Sequence, residues 1–155
     1  MSLRSSLALL FLCFTALPLS ATDIVWPTTM ERASIRAPQD YLQPTVSGKT
    51  ESALFGMVRE DGKRFHEGID IRPAKTNADG EALDRVLAAM DGQVAYLNSN
   101  VNGPYGRYVV LYHATAEIPV YTLYAHLAKI EPSLKPTHPV RRGTAIGLMG
   151  RTSAG

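Results

Sequence analysis

"GEALDRVLAAMDGQV", residues 80–94, is the stretch whose reading decides the fold. At a helical period, Ala82, Leu83, Val86, Leu87 and Met90 fall on one face. The pattern alone leaves helix and strand open for its first eleven residues. Everything around it reads as strand. "GQVAYLN" (92–98) runs into the turn signals "SNVNGPYG". "RYVVLYH" (107–113) and "PVYTLYAHL" (119–127) are rich in Val, Tyr and Leu, and the short join between them predicts a hairpin. "VRRGTAIGLMG" (140–150) is a glycine-punctuated strand, and upstream "SALFGMV" (52–58) ends in the turn "REDGKR". The pattern therefore reads as all-β.

The chain has 155 residues, 45% of them hydrophobic and 19% charged, with twelve Gly and ten Pro. That suits one globular domain with many turns. A net charge of +2 and the lack of a basic run interleaved with aromatics argue against a nucleic-acid partner. No repeat or low-complexity tract is visible. "MSLRSSLALLFLCFTALPLSA" (1–21) has one basic residue, Arg4, an apolar run over 7–19, and small residues at its end. This is the layout of a secretory signal peptide, and the run is shorter than the ~20 residues of a membrane span. A retained membrane anchor is the rival reading. The single cysteine, Cys13, lies inside this segment. A chain cleaved after Ala21 would carry no thiol, so any metal site would be built from His and carboxylate. Residues 22–52, rich in Pro, Ser and Thr, read as an extended arm, and 53–155 as the domain.

"RFHEGIDIRP" (64–73) sets His66 and Asp70 four positions apart. On a helix the pair would share a face, but a glycine and two β-branched residues disfavour helix. On a flat strand they would stand ~13 Å apart at ~3.3 Å per residue, too far for zinc bonds of ~2.0–2.2 Å. A bend at Gly68 resolves this, with His66 arriving from a loop and Asp70 pointing from a strand start. Alone the spacing is a weak signal, since such pairs are common on surfaces.

The company of the pair is more specific. "FHEGIDI", "VLAAMDGQV", "YGRYVVLYH", "YTLYAHL" and "VRRGTAIGLMGRT" occur in one order, and together they resemble the M23 zinc metallopeptidases, the lysostaphin-like or LytM-type peptidoglycan endopeptidases. The resemblance covers about residues 54–155. It implies a compact antiparallel β-sheet or sandwich of the LytM type, with 86–94 as strand. It also implies zinc held by His66 and Asp70, and His126 as a catalytic histidine near the metal. Gly147, Gly150 and Thr152 match the family's glycine-rich block, and 75–84 looks like an insertion. The implied substrate is the peptide of bacterial peptidoglycan, and the implied location is outside the cytoplasm.

One departure matters. The family's third ligand comes from a C-terminal His-x-His block, and no His-x-His occurs in these 155 residues. A catalytic zinc site normally holds three protein ligands and an open position. The expectation is a form truncated before that block; the alternative is a non-catalytic LytM-type domain that binds cell wall or activates an amidase. A carrier module with a "V-x-A-x-x-x-G-x-V" pattern is excluded by the missing lysine in "AAMDGQV". Among the other histidines, His113 reads as structural and His138 as a solvated loop residue. Without the resemblance His126 would read as a strand-end residue, in parity with Val120, Thr122 and Tyr124. Glu67 reads as pointing away from the pair, and Tyr105, Tyr121 and Tyr124 as groove or core.

Overall fold

Residues 84–90 alternate strictly: Asp84, Val86, Ala88 and Met90 are buried, while Arg85, Leu87 and Ala89 are exposed or half-buried. That is the two-residue period of a strand, and Leu83, which a helix would bury, lies exposed. The computed structural model describes residues 24–115 and 118–152; the expected signal peptide (1–21) lies outside the described residues. Among the described residues nine strands form: β1 (Gly56–Arg59), β2 (Arg64–His66), β3 (Arg85–Leu87), β4 (Gly92–Asn98), β5 (Tyr108–His113), β6 (Val120–Tyr124), β7 (Lys129–Ile130), β8 (Pro139–Val140) and β9 (Ala145–Leu148). Every strand pairing is antiparallel. No described helix is long and apolar enough to cross a membrane.

Three sheets result, in the orders β1-β2, β3-β9-β7 and β6-β5-β4-β8. β5 and β6 form the expected hairpin, with Val109 opposite Tyr124 and His113 opposite Val120. The run at 140–150 is not one strand: a turn at Arg142 and Gly143 splits it, so that Val140 joins the four-stranded sheet and Ile146 the three-stranded one. The core lies between these two sheets. Val94, Val109 and Leu111 enter it from one side, and Val86 and Ile146 from the other. His113 is buried with them, its Nδ1 donating to the Asp91 carbonyl at 2.8 Å and its Nε2 bonded to the Thr122 hydroxyl at 2.8 Å. It is structural, as read. His138 is half-buried rather than fully solvated.

The arm lies against both ends of this frame. Val25 N–H donates to Ala89 O, Leu87 N–H to Pro27 O and Thr29 N–H to Arg85 O, so that 25–29 covers the free edge of β3. Further on it holds short 3-10 turns and one α-helical turn, α1 (Pro38–Tyr41), where the Asp40 carboxylate accepts from the Arg36 and Ala37 N–H groups. These two bonds hold its pKa below the usual carboxylate value. The loop at 75–84 is pinned by buried Asp84, whose carboxylate accepts from Ala74 N–H, Lys75 N–H and the Thr29 hydroxyl. Three donors satisfy a charge that would otherwise be costly to bury.

Candidate metal centre

β1 and β2 build the first half of the site. Gly56 stands opposite His66 and Met57 opposite Phe65, but Arg59 rather than Val58 stands opposite Arg64. This bulge rotates Arg59 onto the face that carries His66. His66 ends β2, and the chain then bends at Gly68 and leads to Asp70 in irregular backbone. The sequence reading had this reversed: the histidine comes from a strand and the aspartate from a loop. Nor does the bend use glycine's special freedom, since Gly68 is not among the residues with left-handed backbone and open space surrounds the position of its missing Cβ.

Asp70 is instead held by its neighbours. Its N–H donates to Ala53 O and its carbonyl accepts from Gln43 N–H, both at 2.9 Å. Leu42 of the arm is buried and bridges to Ile71. The arm thus fixes the backbone that presents Asp70.

The pair meets. His66 Nε2 lies 3.3 Å from Asp70 Oδ1. Two donors bound at about 2.1 Å to one tetrahedral ion would stand about 3.4 Å apart. His66 Nδ1 is 2.7 Å from the Leu54 carbonyl, which can only accept, so Nδ1 carries the proton and Nε2 presents a lone pair. A carbonyl that takes the far N–H in this way orients an imidazole for metal ligation. Geometry, tautomer and donor chemistry therefore suit His66 and Asp70 to two positions of a zinc shell. A third is not gathered: no group of three or more His, Cys, Asp or Glu stands together among the described residues.

Arg59 occupies the same spot. Its Nη2 donates to His66 Nε2 at 3.0 Å and to Asp70 Oδ2 in a very short contact. The residue order carries no sign of this, because a bulge has no signature as plain as a turn's.

His126 is held separately, by the Tyr105 and Thr152 main chain rather than by contact with His66 or Asp70. β6 ends at Tyr124, and His126 turns through a left-handed conformation, φ 57°, so it does not keep the strand parity read for it. Such a backbone is uncommon outside glycine and is held here from several sides. His126 N–H donates to Tyr105 O at 2.8 Å and its Nδ1 donates to Thr152 O at 2.9 Å. With Nδ1 so engaged, Nε2 is the lone-pair atom. Thr152 is fixed in turn by its hydroxyl, which donates to Leu127 O and accepts from Arg107 N–H. Gly106 and Gly150 allow this closeness: a Cβ on Gly106 would lie 2.4 Å from Thr152 O, and one on Gly150 would lie 2.2 Å from Ala128 N.

Tyr105 links the two halves. Its hydroxyl donates to the Glu67 carboxylate, beside His66, while its carbonyl holds His126. The Glu67 bond is the main cause that raises the Tyr105 pKa above its usual value. Glu67 is therefore a tether rather than a bystander. Tyr124 belongs to the core and Tyr121 is exposed on the sheet's outer face.

A sequence model of Peptidase family M23 matches residues 64–155, more than half of the chain, and takes in His66, Asp70 and His126. No curated protein and no solved structure matches the chain.

Proposed function

The chain belongs to peptidase family M23, and from that premise we propose that it serves as a zinc metalloendopeptidase that hydrolyses peptide cross-links of bacterial peptidoglycan. The observation that carries the reading is the 3.3 Å separation of His66 Nε2 and Asp70 Oδ1, with the imidazole tautomer set by Leu54 O. Zinc, when bound, supplies a Lewis acid and lowers the pKa of a coordinated water toward ~7, so that neither a cysteine nor a serine nucleophile is required. The chain's own residues do the rest. His66 and Asp70 supply two donors, and the main chain of Leu54, Ala53 and Gln43 keeps them aimed. His126, in the tautomer that Thr152 O imposes, can take a proton at Nε2. As imidazolium it can then hydrogen-bond the carbonyl oxygen as charge builds there, or return the proton to the leaving amine.

The site in this reading is completed by a histidine of the family's His-x-His block, and the protein is exported, cut near Thr22. The test is release of soluble muropeptides from purified sacculi by a protein carrying that block. His66→Ala and Asp70→Ala should lose both zinc and release; His126→Ala should keep zinc and lose ~10²–10³ in rate, as when one oxyanion donor is removed. Chelator-insensitive release, or full activity in His126→Ala, would refute the mechanism. N-terminal sequencing of extracytoplasmic protein reads the export; an intact Met1 in the cytosol excludes it.

A second reading is favoured by Arg59, which sits on both donors, and by the absence of a gathered third donor among the described residues. It makes the domain a non-catalytic binder of cell wall or activator of an amidase. Stimulation of an amidase by a zinc-loaded protein that releases nothing would select it.

A further inference from the structure

We propose that Arg59 is a built-in competitor for the metal, a guanidinium that holds His66 and Asp70 together when no ion is bound and must withdraw before they can ligate one. The proposal rests on reading these two residues as ligands. Nε2 of a neutral imidazole has one lone pair, and Leu54 O fixes the proton on Nδ1. Arginine has only donors, so the 3.0 Å contact from Arg59 Nη2 to Nε2 uses that single lone pair. An ion and this N–H cannot share it. The same Nη2 engages Asp70 Oδ2, so one nitrogen blocks one donor and neutralises the other.

The rest of Arg59 shows how it is held. Its side chain is 13% exposed, so the charge is largely withdrawn from water. Its Nε is buried and has no hydrogen-bond partner among the described residues. A buried arginine with a purely architectural role normally has its donors satisfied. Among the described residues the hydrogen bonds of the Arg59 guanidinium go to the two groups a metal would claim. Arg59 lies on β1 of the β1–β2 hairpin, before the stretch that the family model matches.

The test compares the full-length protein with Arg59→Met, which keeps the stem and removes the charge. Zn²⁺ affinity is measured by competition with a chromophoric chelator, and melting temperature is measured without metal. Arg59→Met should bind Zn²⁺ about tenfold tighter or more, the scale of one lost charge-assisted hydrogen bond. Its metal-free form should melt lower, because Asp70 loses its counter-charge. Arg59→Lys, which keeps the charge on a flexible stem without the planar guanidinium, should fall between the two and serves if Arg59→Met does not fold. Equal or weaker binding in the folded variants, with binding abolished by His66→Ala, would overturn the competitor role and make Arg59 a support for the ligands. If His66→Ala binds as wild type does, the ligand reading itself fails and the proposal goes with it.

Discussion

At the scale of single residues, His66 and Asp70 supply the donors and the backbone around them decides where those donors point. Spacing alone is a weak signal for His66 and Asp70; the resemblance pairs them, and flat-strand geometry then requires a bend between them. That His66 comes from a strand, that Arg59 is turned toward it by a bulge, and that His126 leaves its strand at φ 57° are all backbone events that the residue letters do not encode. The glycines divide in the same way. Gly68 and Gly150 look equivalent in sequence, yet a Cβ at Gly150 would press on Ala128 N at 2.2 Å, whereas nothing lies within 4 Å at Gly68. Main chain cannot step aside as a flexible side chain can. Gly150→Ala should therefore cost ~1–3 kcal/mol by overpacking, while Gly68→Ala should be neutral or gain less than ~1 kcal/mol through the unfolded state. Urea unfolding midpoints would decide it; equal losses at the two positions would mean that the bend at Gly68 needs glycine after all.

At the scale of elements, the decisive stretch shows why period outranks propensity. Residues 80–90 are good helix formers, and their apolar set tolerates a 3.6 period. The three-stranded sheet overrides this, because β9 offers a partner: Arg85 pairs with Leu148 and Val86 with Gly147. The resemblance settled the reading, and the burial pattern supplies its cause. β9 also pairs with β7, so it is the centre of its sheet, and Ile146 on it is fully buried. Ile146→Ala should destabilise by ~2–5 kcal/mol, the range for deleting a large buried aliphatic side chain. Leu83→Ala, at an exposed position that a helix would have placed on the core face, should stay within ~0.5 kcal/mol. Chemical denaturation of both variants compares them directly, and a large loss at Leu83 would restore the helical face.

At the scale of the whole molecule, Tyr124 couples the two packed sheets and should set how the fold responds to alkali. It lies on β6 of the four-stranded sheet, buried in the shared core, and its hydroxyl accepts from Ala89 N–H at 2.8 Å, in the link between β3 and β4. Burial is the main cause that raises its pKa above the ordinary value, outweighing the bonds from Thr122 and Ala89 that lower it. The sign follows from linkage. In the unfolded chain the phenol ionises near ~10, so below that pH both states hold the proton and the fold loses nothing. As pH rises past ~10 the unfolded state sheds its proton first, which draws the equilibrium toward unfolding until the folded pKa is passed. Lysines titrate in the same range, so the informative quantity is a difference. Tyr124→Phe should be less stable than wild type at pH ~8, where it forgoes the bond to Ala89, and the gap should close as pH approaches ~11. Tyr105→Phe should show a smaller change, because the Tyr105 shift comes from a Glu67 bond at the more exposed rim. Unfolding midpoints across this range measure the gap for both variants; a gap for Tyr124→Phe that stays constant with pH would mean that its phenol is not held neutral by burial.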